Sequence, residues 1–345
     1  MSPRKWSLRE YRPEDFTGVQ ELFAVVFHQP RPPEHFVWKF NENPAGRGIN
    51  TVAEDSGRIM GHCALMPMPL RIGNEAVRGA QGVDAMVHPD YRNQGLFVAL
   101  YKACMDRAGA EGIEVLYAIP RHRSGTYNGC VHRLDWDHPG NIGAWVRVLN
   151  ARSPTLSSFS HSVRIISLGL QFMPIGKSSP RGVDIRMERP KENEFLTLAD
   201  QVASSWPAGA CRIDHSADWF RWRFDSASQR HYLWFSAYRD GDLKGWAVFG
   251  VNDWGEMPVL DMSGIDAKAL EAVTGMATRR AKELGLAMLL SFTNENNVAR
   301  ALRSCGFFRY GSMPLIVHSL TPRTLDGNIH LQSSWHMASE DLDAF

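Results

Sequence analysis

One aromatic phrase occurs twice in this chain, and the repetition limits the fold more than any other feature. His35-Phe-Val-Trp-Lys-Phe-Asn41 matches Trp219-Phe-Arg-Trp-Arg-Phe-Asp225 at an offset of 184. The same offset sets Ala53 on Ala237, Gly57 on Gly241 and Gly61 on Gly245. Glu54-Asp-Ser-Gly-Arg58 and Tyr238-Arg-Asp-Gly-Asp242 each place Gly where a tight hairpin needs positive φ. Small insertions and deletions extend the match to both ends. Leu8-Arg-Glu-Tyr-Arg-Pro13 pairs with Ile185-Arg-Met-Glu-Arg-Pro190, and Leu134-Asp-Trp136 with Cys305-Gly-Phe307. A unit of about 150 residues is too long for a solenoid repeat. The chain of 345 residues therefore reads as two copies of one domain. The expected division is 1–150, a connector at 151–182 rich in Ser, Pro and Gly at its ends, a second copy at 183–325, and a polar tail at 326–345.

Charge excludes some functions. With 38 Lys+Arg against 37 Asp+Glu, no global basic field exists to hold a polyanion, so no nucleic-acid partner is expected. Met1–Asp15 lacks the apolar core of a signal peptide. Ile165–Ile175 is too short and too broken to span a bilayer, so no membrane partner is expected. Five scattered cysteines without a Cys-x-x-Cys pair point to a reducing, cytoplasmic setting. The 13 histidines have no His-x-x-x-His spacing, and no metal is expected.

Periodicity orders the first copy. Pro13–Phe27 has helical apolar spacing, with Pro13 in its first turn. Asn50–Ala53, Met60–Met66 and Gln81–Val87 read as strands, Leu96–Ala108 as a helix, Ile113–Ile119 as a strand, Thr126–Arg133 as a short helix, and Trp145–Leu149 as a closing strand. The order predicts an α/β domain with a mixed sheet.

The segment Val83-Asp-Ala-Met-Val-His-Pro-Asp-Tyr-Arg-Asn-Gln-Gly-Leu-Phe97 carries the chemistry. A strand runs into His88-Pro89, where Pro89 ends the ladder. Gly95 has no Cβ to keep a ligand away from the backbone. The N–H groups of Arg92–Leu96 then converge ahead of a helix, which is a site for phosphate. Arg92-x-x-Gly95-x-Phe97 in this setting resembles motif A of the GNAT superfamily of acyl-CoA N-acyltransferases. It departs from the usual pattern, where Phe97 stands in place of Gly or Ala.

The resemblance covers 1–150 well and 183–320 more loosely. It implies acetyl-CoA as co-substrate, with its pyrophosphate on Arg92, Asn93, Gln94, Gly95, Leu96 and Phe97. It implies a pantetheine arm along Met86 and Val87, in a gap between splayed strands. A primary amine of a small molecule would attack the thioester directly. Asp84 and His88 are then candidate general bases, and Tyr127 a candidate acid toward the CoA thiolate. Arg121-His-Arg123 with His132-Arg133 would meet an anionic group of CoA or of the acceptor. A monomer or homodimer is expected. The alternative is a non-catalytic acyl-CoA-binding sensor, which would bind CoA and turn over no amine. An aminoacyl-transfer enzyme using charged tRNA is a third reading, disfavoured by the intact loop and the near-neutral charge.

In the second copy, Val259–Asp266 runs directly into a helix at Ala267–Gly285 without an Arg-x-x-Gly loop, which predicts a lost cofactor site. Trp38 and Trp222 are expected to pack within the core of their own copies. The tail either stays loose or folds back through Trp335.

Overall fold

The computed structural model describes residues 6–150, 181–226, 231–251 and 258–341, with Gly169, Phe172, Met173 and Ile175 between the first two stretches. Most of the connector at 151–182 falls outside the described residues. The first half contains β1 (Ser7–Glu10), α1 (Phe16–Phe27), α2 (Pro33–Phe40), β2 (Ile49–Asp55), β3 (Arg58–Ile72), β4 (Glu75–Val87), α3 (Leu96–Ala110), β5 (Val115–Ala118), α4 (Gly125–Arg133) and β6 (Asp137–Val148). The second contains β7 (Asp184–Arg186), α5 (Glu192–Ser204), β8 (Cys211–Ile213), α6 (Ala217–Phe224), β9 (His231–Arg239), β10 (Asp242–Val251), β11 (Leu260–Gly264), α7 (Ala267–Glu283), β12 (Met288–Thr293), α8 (Asn296–Ser304) and β13 (Phe308–Ser319).

The repeat is structural as well as sequential. α2 and α6 are both 8 residues long, α4 and α8 both 9, and β6 and β13 both 12. The two hairpin turns match in conformation: Ser56 and Gly57 have φ 52 and 80, and Asp240 and Gly241 have φ 54 and 88. Two consecutive positive φ values give the strand twist a tight hairpin needs.

The copies are not two separate sheets. One sheet runs β1-β2-β3-β4-β5-β13-β6-β12, with β8 joining β3, and a second runs β11-β10-β9-β7. β13 of the second half lies between β5 and β6 of the first, and β6 lies between β13 and β12. The path β5-β13-β6-β12 maps onto its own reverse when repeat-equivalent strands are exchanged. Each half thus lends the other a long central strand.

A second junction corrects one sequence expectation. Trp38 and Trp222 do not serve separate cores; they stack on each other, with centroids 4.7 Å apart and rings 10° from parallel. The Trp38 indole N–H donates to the Trp222 carbonyl at 2.9 Å, and that of Trp222 to the Trp38 carbonyl at 3.0 Å. A buried indole N–H needs an acceptor, and here each copy supplies the other's. The surrounding phenylalanines of α2 and α6 form one core with them.

The tail takes the fold-back alternative. Trp335 is 1% exposed, lies 5.9 Å from the Tyr117 ring, and bridges to Cys211. Among the described residues, no helix is long and apolar enough to cross a membrane.

Candidate functional site

β4 is the strand that positions the site. Its pairing with β3 slips between His62 and Ala64, so Asp84 and Ala85 together face Cys63. This is a bulge, with Asp84 at φ 47. The Asp84 carbonyl faces His62 Nδ1 at 3.0 Å, and His62 Nε2 lies 3.0 Å from Asn50 Oδ1. Burial pushes the His62 imidazole down to about 4.

Two cations converge on the Asp84 carboxylate. Lys39 Nζ of α2 lies 2.9 Å from Oδ1, and Arg31 Nη1 pairs with Oδ2. Arg31 is fixed in turn by Gln20 of α1, whose Oε1 accepts from Nε and Nη2 at 3.0 and 2.7 Å. Burial raises the Asp84 carboxyl, but Lys39 and Arg31 outweigh it, and the group stays well below the usual carboxylate range. A carboxylate so held takes up a proton poorly, so the expectation of Asp84 as a general base gives way to an anchoring role. It ties α1, α2 and the bulge together.

The loop after β4 has the features its sequence implies. His88-Pro89 ends the strand and Pro89–Tyr91 forms a single 3-10 turn. Asn93 at φ 60 and Gly95 at φ 78 are both left-handed. Gly95 is the N-cap of α3 and, lacking a side chain, leaves the helix start uncapped. The backbone N–H groups of Asn93, Gln94, Gly95, Leu96, Phe97 and Val98 have no hydrogen-bond partner among the described residues. A Cβ built on Gly95 would meet no atom within 4 Å. Arg92, Asn93, Gln94 and Gly95 are exposed, while Leu96 is buried under the helix. Gln94 Nε2 donates to Asp90 O at 2.9 Å, bracing the loop from outside. Phe97 is accommodated because α4 has Gly129 opposite it, where a Cβ would collide with the Phe97 ring.

β4 and β5 run parallel and pair only at Gly79–Val115, Ala80–Leu116 and Gln81–Tyr117. Beyond them no hydrogen bond joins β4 to β5 or to its continuation among the described residues, so the strands part. Met86 and Val87, opposite His62 and Gly61 of β3, end β4 on the rim of this opening. His88 is partly exposed, with Nδ1 3.6 Å from Asp90, and lines a cleft with Glu14, Glu21 and Arg58. Tyr127 lies in the first turn of α4, where its N–H is capped by Ser124 Oγ at 3.1 Å. Its hydroxyl lies 3.0 Å from His138 Nδ1 of β6. Nothing in the spacing pointed to His138, which is 11 residues away on another element. Arg121, His122, Arg123, His132 and Arg133 are exposed, and the His122 and His132 rings lie 6.4 and 6.1 Å from that of this tyrosine.

Residues 7–137 match the family model described as an acetyltransferase (GNAT) domain. The first half is a GNAT domain. Solved structures share the fold over most of the chain. An N-acetyltransferase of the GCN5-related type from Anabaena variabilis has a TM-score of 0.62 at 12% identity, covering 92% of this chain and 73% of that one. N-myristoyltransferase from Saccharomyces cerevisiae, solved with bound myristoyl-CoA, has a TM-score of 0.67 at 13% identity over 91% and 83%. A tandem GNAT protein from the clavulanic acid biosynthesis pathway has a TM-score of 0.64 at 15% identity over 92% and 100%. No curated protein matches the sequence significantly. The chain is a tandem of two GNAT-like folds, and among the described residues only the first has the loop.

In the second GNAT-like copy, β11 passes to α7 through Ile265 and Asp266 alone. Asp266 caps the helix, its Oδ1 accepting from Lys268 N at 2.8 Å and Ala269 N at 3.0 Å. The strand gap is also filled. Val259, just ahead of β11, and Leu290 of β12 form an isolated parallel bridge. Past it, Ser339 of the tail inserts: its Oγ accepts from Phe292 N at 2.9 Å and lies 3.1 Å from Leu260 O. Asp261 is the repeat counterpart of Asp84, and His215 and Arg223 are those of Arg31 and Lys39. Asp261 Oδ1 accepts from Met262 N at 2.9 Å and Ser339 N at 3.2 Å, while Oδ2 has no partner among the described residues. Burial pushes this carboxyl up to about 7, helped by Asp341 and opposed by Arg223 and His215.

Proposed function

We propose that the first half binds acetyl-CoA and transfers its acetyl group to the primary amine of a small molecule. One observation carries this reading: six consecutive backbone N–H groups, Asn93 to Val98, have no partner among the described residues, around a left-handed glycine at a helix start. Such an array satisfies itself on phosphate oxygens, and the residues that would hold the pyrophosphate are Arg92, Asn93, Gln94, Gly95, Leu96 and Phe97. Bound acyl-CoA supplies a thioester, an acyl donor that needs no further activation by ATP.

The chain's own contribution is placement. The unpaired rim of β4 at Met86 and Val87 offers main-chain groups to an extended arm. Fixing donor and amine together removes most of the entropy of a two-body reaction. Tyr127 holds a proton at Oη beside His138 and serves as the acid. With Asp84 held as a carboxylate, His88 is the remaining candidate base. The domain assignment 1–150, connector and 183–325 fits this division of labour, with β6 and β13 exchanged across it.

The test has two stages. Calorimetry with acetyl-CoA should give saturable binding with one equivalent per chain. A thiol-release assay over a panel of primary amines should then give turnover that falls in Tyr127→Phe. Binding without turnover for any amine would favour a sensor over an enzyme. Comparing acetyl-CoA with longer acyl-CoAs settles the donor.

A further inference from the structure

The opening between β4 and β5 ends on one glycine and one tyrosine. The strands pair last at Gln81–Tyr117, so Gly82 and Ala118 are the first residues past the junction. Gly82 is partly exposed, as are Ala85 and Val87 further along β4, whereas Ala118 is closed off. A Cβ built on Gly82 would collide with the Tyr101 hydroxyl of α3 and lie 3.4 Å from the Ala118 Cβ. The phenol therefore fills the wedge where the strands separate, against bare Gly82 backbone.

Tyr101 is held firmly in that place. It follows Phe97 by one helical turn, with ring centroids 5.2 Å apart. Trp136 meets its other side edge-on, at 5.6 Å and 88°. The residue is 0% exposed. Its hydroxyl lies beside the Cys130 thiol, a weak hydrogen-bond partner, so a phenylalanine would serve this core equally well. What the hydroxyl adds is reach toward Gly82. Ala85, Val87, Phe97 and Tyr127 pack against the same cluster and are only partly buried. From the phosphate loop, one wall thus descends past Phe97 to Tyr101 with β4 opposite.

We propose that Tyr101 sets the length of the acyl donor, closing the opening at Gly82 so that acetyl fits and a chain of about six carbons does not. The inference rests on the reading of the first half as an acyl-CoA site. With the pyrophosphate at the head of α3 and the arm along Met86 and Val87, the acyl group points down β4 toward the junction. Each added methylene carries the chain end closer to Gly82. A close-packed floor has no room for it, so the longer chain displaces packed side chains or stays in water. Tyr101 touches no reacting atom in this arrangement; it decides how much space lies beyond them.

Calorimetry with acetyl-, butanoyl-, hexanoyl- and octanoyl-CoA reads the length profile directly and needs no acceptor. The wild type should bind hexanoyl-CoA at least about ten-fold more weakly than acetyl-CoA. Tyr101→Leu should bring hexanoyl-CoA to within about two-fold of acetyl-CoA. Tyr101→Phe removes only the oxygen and keeps the ring packing, so it should fold normally and gain about three-fold for butanoyl-CoA. Both variants should keep the wild-type affinity for acetyl-CoA. Gly95→Val should weaken every chain length alike, because it acts at the pyrophosphate. Melting curves identify any variant that fails to fold. Equal binding of all chain lengths by the wild type, or a wild-type profile in the folded Tyr101 variants, would overturn the length limit and leave acyl-CoA binding standing. No binding at any length would overturn the acyl-CoA reading and the length limit with it.

Discussion

At corresponding places the two copies do opposite things with the same scaffold. The first begins α3 on Gly95 and leaves its amides bare; the second begins α7 on Asp266, whose carboxylate occupies them. The first leaves the space between β4 and β5 open past Gln81 and Tyr117; the second fills the space between β11 and β12 with Ser339. The first surrounds its bulge carboxylate with two cations; the second leaves one oxygen of Asp261 without a partner among the described residues. The lesson is that a repeat keeps its fold without the loop, since the chain's own Asp266 satisfies the helix start that the first copy leaves open.

The largest effects should come from breaking what differs around the paired aspartates. Lys39→Met leaves Asp84 buried with half its compensation and should cost about 3–5 kcal/mol in denaturant unfolding. At Asp261 the matching change runs through pH. Its carboxyl is raised to about 7, so the native state holds a proton that the unfolded chain has already lost. That stabilisation is complete below the ordinary carboxyl range and disappears as pH rises to about 7. Asp261→Asn should therefore flatten the fall in Tm between pH 5 and pH 8; an unchanged slope would contradict the assignment.

The tryptophan pair tests what the copies share. Trp38→Ala or Trp222→Ala alone should cost about 3–5 kcal/mol. The double variant should cost less than the sum by about 1 kcal/mol or more, since the stack can be lost only once. Strict additivity would mean that each ring serves its own half.

Smaller effects sharpen the contrast between the loops. Gly95→Val forces a branched side chain to φ 78 at the mouth of the amides. It should weaken acetyl-CoA by about 3 kcal/mol, on the order of 100-fold, and the strained φ should lower Tm by a few degrees. Asp266→Ala should cost about 1 kcal/mol of stability as a lost cap. It should leave calorimetric stoichiometry at one acetyl-CoA, because Ser339 still fills the second gap. A second equivalent in either protein would end the claim that the copies are unequal.

How much of this was legible beforehand depended on range. The phosphate loop could be read because its geometry is local: Gly95 and the strand before it lie within one short segment. The repeat could be read because Phe-x-Trp-x-Phe survives in both copies, and the absence of a loop before Ala267 followed from counting residues. The exchange of β6 and β13 could not. Both strands have the same length and character, so nothing in either specifies which copy's neighbour it joins. Nor could Asp84's partners be read, since Lys39 and Arg31 lie 45 and 53 residues away and only the folded α1–α2 corner brings them in. The pairing of Tyr127 with His138 depends on β6 being held in the exchanged position. The tail was ambiguous because its few apolar residues, Trp335 and Met337 among them, bury themselves on both halves at once.

Strand exchange also has a consequence during synthesis. β5 cannot gain its central neighbour until β13 is made, and β13 ends at Ser319, after 171 further residues beyond Val148. At about 5–20 residues per second, the newborn first half spends on the order of ten to thirty seconds with one edge of β5 and both edges of β6 unpaired. An unpaired edge of this kind is a template for pairing with another chain, so a fragment that stops within the second half should aggregate.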